Sequence, residues 1–454
     1  MSGVDRTALP APGPARPFRF PAVTQVAFDA SGLDVRLVPH DAAPIVSLTA
    51  LMRGGSAADP ADRPGLAAFT ADLLDDGAGT LDGPGLADAL ARLGGDVESE
   101  IWPDATVVTV TALARHVAPA LGVLADLVRR PRFDPADVER VRGLRLDRLR
   151  QLRAQAATQA DRAFTRAIYG GHPYGHPGIG DAAAVQAATR DEILAQYARA
   201  FRPSATTLVI AGDVGLDETR ALVSGAFGDW AGARESVAPP PVPGDLPVGR
   251  VLLLPRPGAP QSELRVGHVS ASRSTPDYHA LLLWNAALGG QFVSRLNLNL
   301  RQARGITYGV RSGFDFRRAP GPFSVHTSVQ ASATGMALQE ITREVEAMLG
   351  ARPITAQELA RAKAAVGLGY PRGFETAQQV GRAVAQMSLH GLSPDHFESF
   401  VPRVNAVSEG DATEAARRHV HAGWLTAVVV GDEAVVGPQL TELGQAYDVL
   451  PDAG

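Results

Sequence analysis

The segment TRDEILAQYARAFRPSATTLVIAGD, residues 189–213, carries the strongest internal signal in the chain, because a second copy of its pattern, SEGDATEAARRHVHAGWLTAVVVGD, occupies residues 408–432. Each copy predicts an amphipathic helix, a short loop, a strand of β-branched residues and a closing Gly-Asp pair. Residues 137–151 have a similar counterpart at 358–372, again about 220 residues later. Two coincidences at one offset favour a duplicated fold. Chance similarity between Ala- and Arg-rich helices is the alternative.

The Pro-rich stretch GARESVAPPPVPGDLPV, residues 232–248, separates the two copies. Three consecutive prolines cannot lie inside a helix or a central strand, so this stretch predicts an interdomain linker. It leaves a first domain over residues 23–231 and a second over residues 249–454. An extended Pro-rich N-terminus is predicted over residues 1–22.

Hydrophobic periodicity in the first half alternates between the spacing of strands and that of helices. Strands are predicted at residues 35–38, 45–51 and 105–112, and helices at residues 65–74, 84–93, 117–128 and 137–154. Mixed rather than strictly alternating elements favour an α+β fold, in which each half is a mainly antiparallel sheet with helices packed on one face.

Composition removes several classes of function. The 454 residues carry a net charge of −5, which argues against a nucleic-acid-binding protein, and they include no cysteine, which excludes disulfides and thiolate zinc sites. No apolar run is long enough to span a membrane, and the N-terminus lacks the apolar core of a signal peptide. The expected location is therefore the cytoplasm, unless the true start lies upstream.

The segment LGGQFVSRLNLNLRQARGITYGVRSGF, residues 288–314, resembles the C-terminal-half signature of the pitrilysin-type (M16) zinc metallopeptidases, the family that includes the mitochondrial processing peptidases. The resemblance extends from about Val23 to Gly431 and implies two homologous halves that form a clamshell. The matching positions are Gly289-Gly290, Ser294-Arg295-Leu296, Leu300-Arg301, Gly305 and Tyr308.

The resemblance implies that Arg301 and Tyr308 bind substrate. A peptide carbonyl under attack gains negative charge, and a guanidinium and a phenol hydroxyl are suitable donors toward it. The alternative is structural, with Arg301 capping a helix and Tyr308 packing on the sheet. Glu98, Ser99 and Glu100, in a segment that contacts substrate in family members, are weaker candidates.

The zinc motif of the family, His-x-x-Glu-His, is degenerate in this chain. Its metal-binding and base positions read Ala68, Ala71 and Asp72, and the region expected for the third ligand, near Asp147-Arg148, has no glutamate. Alanine has no donor atom for a metal, so the resemblance implies that this chain holds no zinc and that zinc belongs to a partner. The remaining pairs, His172 with His176 and His419 with His421, are not expected to be metal sites.

These features predict the non-zinc-binding subunit of a heterodimeric M16-type peptidase that hydrolyses unfolded peptides. The partner would be a homologous chain with an intact His-x-x-Glu-His, and this chain alone would be inactive. Two alternatives remain open: a structural subunit like the core proteins of respiratory complexes, and a peptide-binding homodimer without catalysis.

Overall fold

The computed structural model describes residues 18–28, 32–232, 237–244 and 248–451. The strands are β1 Thr24–Val26, β2 Asp34–Pro39, β3 Ile45–Arg53, β4 Gly77–Ala78, β5 Leu81–Asp82, β6 Asp96–Ile101, β7 Ala105–Leu113, β8 Thr206–Gly212, β9 Val251–Pro255, β10 Gln261–Val269, β11 Thr307–Phe314, β12 Pro322–Gln330, β13 Thr426–Gly431 and β14 Asp448–Val449.

The α-helices are α1 Leu66–Ala71, α2 Gly83–Arg92, α3 Val117–Arg129, α4 Pro135–Arg153, α5 Ala156–Tyr169, α6 Ala182–Ala187, α7 Arg190–Ala200, α8 Leu216–Phe227, α9 Tyr278–Asn285, α10 Thr334–Leu349, α11 Ala356–Gly369, α12 Ala377–Leu389, α13 His396–Ala406, α14 Glu409–His419 and α15 Glu433–Glu442. Two π-helical segments, Ala286–Gly290 and Asn297–Ala303, follow α9.

Two six-stranded sheets share the order of five strands and differ at one edge, where β1 is the first strand of its half and β14 is the last. The first reads β1-β2-β8-β3-β7-β6 and the second, from its corresponding end, β14-β9-β13-β10-β12-β11. Most neighbours are antiparallel, while β8 runs parallel to β2, and β9 runs parallel to both β13 and β14. The predicted α+β class and the duplicated halves are therefore confirmed.

The two sequence copies form equivalent units, α7 followed by β8 and α14 followed by β13. Both helices begin at a capping box, Thr189 with Glu192 in the first half and Ser408 with Asp411 in the second. Each box satisfies backbone N–H groups at a helix start, which explains why so short a pattern fixes the helix boundary.

Each sheet buries one face against the helices of its own half. In the first half, strand residues such as Leu48 and Ile210 pack with Phe69 and Leu124. In the second half, Leu264, Val325 and Val429 pack with Trp284 and Ile341. These inward residues follow the period-2 pattern that predicted the strands.

The opposite face of each sheet receives a helix from the other half, which the sequence patterns did not predict. Helix α12 of the second half packs on β3 and β8, where Val380 and Val384 meet Val209 and Leu51. Helix α5 of the first half packs on β10 and β13, where Phe164 meets Val428. The halves are thus joined by exchanged helices as well as by the linker.

Part of the predicted N-terminal and linker segments lies outside the described residues, namely 1–17, 233–236 and 245–247. Residues 237–244 contain no helix or strand. In the N-terminal segment, Phe18 stacks on Phe374 with ring centroids 5.2 Å apart, and Phe20 stacks on Phe397 at 3.9 Å. In the part of the chain that the structure describes, no helix has both the length and the apolar character needed to cross a membrane.

Candidate functional site

The Arg301 and Tyr308 positions lie on two elements that are joined by a short turn. Arg301 lies in the second π-helical segment, and Tyr308 lies near the start of β11, the edge strand of the second sheet. Leu296 and Leu300 are fully buried beneath this segment and fix it to the core. Irregular π-helical turns are frequent at functional sites, because they change the direction of a side chain within a helix.

Arg295 anchors the same segment from outside. Its guanidinium donates to both carboxylate oxygens of Glu358 at 2.7 Å. Burial favours the protonated acid, but the hydrogen bonds from Arg295 and Thr355 prevail and lower the pKa of Glu358 to about 2. Arg295 of the Ser-Arg-Leu triplet is thus a structural anchor, whereas Arg301 is half-buried and Tyr308 is exposed.

Asn297 closes the outer edge of β11. Its Oδ1 accepts from Val310 N at 3.0 Å, and its Nδ2 donates to Val310 O at 2.9 Å and to Gln291 O at 3.1 Å. The neighbouring Gly309 uses both of its backbone groups on threonine hydroxyls, with Thr307 accepting and Thr327 donating. A peptide therefore cannot pair with the β11 backbone at residues 309–310.

The donors of Arg301 and Tyr308 are unoccupied. The Arg301 guanidinium lies over the Phe292 ring, 4.0 Å from its centroid. The Tyr308 side chain is 93% exposed. Within the described residues neither the guanidinium nor the phenol hydroxyl makes a hydrogen bond or an ion pair, so both can donate to a ligand.

A cavity of about 820 Å³ with both polar and apolar lining opens beside Tyr308. Phe292 and Tyr308 line it together, and Arg301 neighbours the cavity through the Phe292 ring on which its guanidinium stacks. The floor is formed by side chains of β10, β11 and β12, among them Arg265, Arg311 and His326. This volume is in the range of small-molecule and peptide side-chain sites.

Glu98 and Glu100 of β6, two of the weaker candidates for substrate binding, both form hydrogen bonds within the protein. Glu100 accepts two hydrogen bonds from Arg382 at 2.5 and 2.6 Å and one from Trp102 at 3.1 Å. Glu98 accepts from Gln378 Nε2 at 3.0 Å. Both carboxylates therefore hold the exchanged helix α12 against the edge of the first sheet.

The backbone around Ser99 forms an open edge. Trp102 N donates to Ala105 O at 2.8 Å and closes the β6–β7 hairpin. Hydrogen-bonded and non-bonded pairs alternate in an antiparallel ladder, so the backbone groups of Val97, Ser99 and Ile101 point away from β7. Within the described residues none of these groups has a hydrogen-bond partner, in contrast to the closed β11 edge.

The degenerate zinc positions are filled by other contacts. Ala68 and Ala71 are buried in α1 and bring no donor atom, and the Asp72 carboxylate forms an ion pair with Arg145 of α4. Arg145 also donates to Ile179 O at 2.8 Å, and its guanidinium lies 5.7 Å from the Phe69 ring centroid. Because the Asp72 carboxylate is already paired with the Arg145 guanidinium and the two alanines have no ligand atoms, these residues do not fit the zinc ion that the family implies.

Helix α4 presents a different face to α1 than the sequence spacing suggested. Arg142, Arg145 and Leu149 are its buried residues near this site, whereas Asp147 pairs with Arg150 at the surface.

Asp59 accepts hydrogen bonds from Gly65 N and Ala67 N at the start of α1, both at 2.7 Å. Burial nevertheless raises the pKa of Asp59 to about 6.

The histidine pairs make local contacts. His172 accepts from Tyr174 N at 3.0 Å and donates to Pro241 O at 2.8 Å, which fastens the linker to the YGGHPYGHP loop. His419 lies 2.9 Å from Asp277, a carboxylate distant in sequence. Among residues 18–28, 32–232, 237–244 and 248–451, no group of three or more His, Cys, Asp or Glu side chains has an arrangement that could hold a metal ion.

Comparison with known proteins agrees with this architecture. The insulinase (peptidase family M16) model matches residues 36–182, and the peptidase M16 inactive domain model matches residues 187–366. The two matches together span most of both halves, and the chain belongs to the peptidase M16 family.

Individual relatives show the same relationship. An uncharacterized zinc protease of Mycobacterium leprae is 29% identical over 322 residues, which is 71% of this chain and 72% of that protein. The crystal structure of a peptidase M16 inactive domain from Pseudomonas fluorescens superposes with a TM-score of 0.85 at 24% identity and covers 90% of this chain and 98% of that one. A chain of complex III2 from Candida albicans has a TM-score of 0.77 at 14% identity, covering 94% and 99%.

Sequence reasoning missed the residues that shape the site from beneath. Asn297 was not distinguished from the other polar residues of its segment, although it follows Ser-Arg-Leu directly. Arg145 was overlooked because sequence spacing pointed two positions further along α4. An arginine at helical spacing from a buried leucine, as Arg145 is from Leu149, was the available signal.

Proposed function

We propose that this chain is the non-zinc-binding subunit of a two-chain M16 peptidase, and that it supplies Arg301 and Tyr308 to a substrate peptide. One observation carries the proposal: Tyr308 on a cavity and Arg301 stacked on its lining residue Phe292 have no hydrogen-bond partner among the described residues, in a chain whose α1 has no donor atoms for zinc. A homologous partner with an intact His-x-x-Glu-His would supply the metal and the attacking water.

The contribution of this chain is to bind the scissile carbonyl. The Arg301 guanidinium and the Tyr308 hydroxyl donate hydrogen bonds to an oxygen whose negative charge grows as the carbonyl is attacked. Donors of this kind lower the barrier because they interact more strongly with the transition state than with the substrate. The segments that carry them are fixed by buried leucines and by Asn297.

Peptide pairing would take place on an open sheet edge. The β6 edge offers the free backbone groups of Val97, Ser99 and Ile101, whereas Asn297 blocks the β11 edge. Main-chain hydrogen bonding depends little on the side chains of the peptide, so the expected substrate is an unfolded peptide without a strict sequence requirement.

The proposal is tested by expressing this chain with a candidate partner that carries His-x-x-Glu-His, followed by zinc analysis and cleavage of an unfolded peptide. The complex should contain zinc and cleave, and the isolated chain should do neither. Arg301→Ala should lower kcat by roughly 10²–10³-fold, the usual effect of losing one oxyanion donor, without changing co-elution with the partner.

Arg361→Ala, an exposed arginine on α11, is the matched control and should leave kcat unchanged. Chelator-sensitive cleavage by the isolated chain would overturn the proposal.

A structural subunit is the second candidate, favoured by the shared fold with a chain of complex III2. In that case the Arg301→Ala and Tyr308→Phe variants would behave like wild type in every assay of the assembled complex. A peptide-binding homodimer would instead elute as a dimer of this chain alone and bind peptide without cleaving it.

A further inference from the structure

Three basic side chains form a row across the second sheet, on the floor of the 820 Å³ cavity. His326 of β12 lies directly opposite Arg265 of β10 on one side and opposite Arg311 of β11 on the other. Residues directly opposite one another in a sheet share a face, so the row is continuous.

The first member of the row is already neutralised. Arg265 is buried and donates to Asp161 at 2.5 Å, to Glu263 at 3.2 Å and to Ala157 O at 3.1 Å. With two carboxylates and a carbonyl as partners, its guanidinium has no free charge to offer a ligand.

The middle member is neutral. His326 exchanges a hydrogen bond with Ser324 at 2.8 Å. Burial and the neighbouring Arg265 lower the pKa of His326 to about 4, so it carries no charge at neutral pH.

Arg311 is different because its charge is uncompensated. It is exposed and lines the cavity, yet within the described part of the chain its guanidinium has neither an ion-pair partner nor a hydrogen bond. The Glu263 and Asp161 carboxylates carry one more charge than the Arg265 they engage, but neither forms an ion pair with Arg311, so the Arg311 guanidinium remains a local charged donor on the same cavity as Tyr308.

Recognition in this cavity depends on side chains. The backbone of Gly309 and Val310, between Tyr308 and Arg311, is fully used by threonine hydroxyls and Asn297. Three residues along a strand span roughly 10 Å, shortened here by the irregular pairing between Thr307 and Val310. A peptide whose carbonyl meets Tyr308 would therefore pass Arg311 about three residues away.

We propose that Arg311 forms a subsite for a carboxylate of the bound peptide, about three residues from the carbonyl that Arg301 and Tyr308 hold. The carboxylate comes from an Asp or Glu side chain or from the C-terminus of the peptide. The inference rests on the proposed peptide binding and adds a selectivity to it.

Fluorescence anisotropy with the purified full-length chain tests the subsite. The probes are labelled, unstructured decapeptides that carry one Glu, Gln or Lys at the same position, each with a free or an amidated C-terminus. An exposed charge-assisted contact is worth about a fivefold difference in Kd. If Arg311 binds an acidic side chain, wild type should bind the Glu peptide about fivefold more tightly than the Gln peptide. If Arg311 binds the C-terminal carboxylate, wild type should bind the peptides with a free C-terminus more tightly than the amidated ones.

Arg311→Gln should abolish this preference without weakening the neutral amidated peptide, and Arg311→Glu should reverse it in favour of the Lys peptide. Arg361→Glu, an equal change of charge on α11, should bind every peptide as wild type does.

Two results would overturn the subsite. If wild type binds all peptides with equal affinity and Arg301→Ala lowers the affinity for every peptide, the carboxylate subsite is wrong and the proposed peptide binding by Arg301 and Tyr308 stands. If no peptide binds at all, both fail.

Discussion

His268 is a buried side chain whose hydrogen bonds require one protonation state. Its Nε2 lies 3.0 Å from His421 N, which can only donate, and its Nδ1 lies 2.7 Å from Val269 O, which can only accept. Both contacts are satisfied by the neutral ring that carries its proton on Nδ1. Burial lowers the pKa of His268 to about 4. Burial also lowers the pKa to about 4 at other histidines of the second half, namely His279, His326, His390 and His396.

The chain should therefore lose stability as the solution is acidified. A folded pKa of about 4 against an unfolded value of about 6.5 means that the unfolded chain binds protons first. The stabilising contribution is complete above about pH 6.5 and is lost as the pH falls toward 4. Thermal unfolding should show Tm falling by several degrees between pH 7.5 and pH 5, and His268→Asn should reduce that slope.

His116→Asn, at a half-exposed histidine of the first half, is the control and should keep the wild-type slope. A Tm that is constant over this pH range would contradict the assignment.

Helix α12 shows how one element joins the two halves. At Gly381 the helix approaches the first sheet so closely that an added Cβ would lie 3.3 Å from Thr49 Oγ1 and 3.5 Å from Ser47 Oγ. Arg382 on the same helix binds Glu100 at the sheet edge. The close approach leaves little room for a larger side chain, which favours glycine here although glycine is a poor residue inside a helix.

Gly381→Leu should push α12 away from the sheet and destabilise the protein by about 1–3 kcal/mol, the usual cost of overpacking. Urea unfolding followed by circular dichroism measures this change. Gln386→Leu adds the same side chain at an exposed position of α12 and should change stability by less than about 0.5 kcal/mol. Equal effects of the two variants would show that the close contact is unimportant.

The two halves also meet at a buried polar network. The Asp104 carboxylate of the first half accepts from Tyr174 Oη at 2.6 Å and from Arg318 N of the second half at 3.0 Å. Tyr174 Oη in turn accepts from Ala319 N at 3.2 Å. Buried networks with every member satisfied restrict the arrangement of the segments they join, so this one fixes the 315–321 loop against the first half.

Tyr174→Phe should loosen this connection. The change leaves Ala319 N without a partner and removes a donor from the buried Asp104, which costs about 1–3 kcal/mol. Hydrogen exchange monitored by mass spectrometry should show faster exchange in residues 315–321. Tyr197→Phe removes a hydroxyl that donates to Val128 O within the first half, and it should leave the exchange of 315–321 unchanged.

Much of the fold could be predicted from the sequence because its signals are local. The repeated helix–strand unit at 189–213 and 408–432 is fixed by periodicity and by the capping residues Thr189 and Ser408. The exchanged helices could not be predicted, because α5 and α12 are amphipathic like their neighbours and nothing in their own residues says which sheet they cover.

The sequence of this chain determined its duplicated α+β halves, the positions of Arg301 and Tyr308, and the absence of the motif's two histidines and base glutamate at Ala68, Asp72 and Ala71, since each depends on residue types at short spacings. The tertiary structure determined that Asn297 closes one sheet edge, that Arg145 pairs with the carboxylate of Asp72, and that Arg311 has no ion-pair partner among the described residues. Hydrogen bonds and ion pairs between distant segments depend on which surfaces meet, and that is settled by the packing of the whole chain.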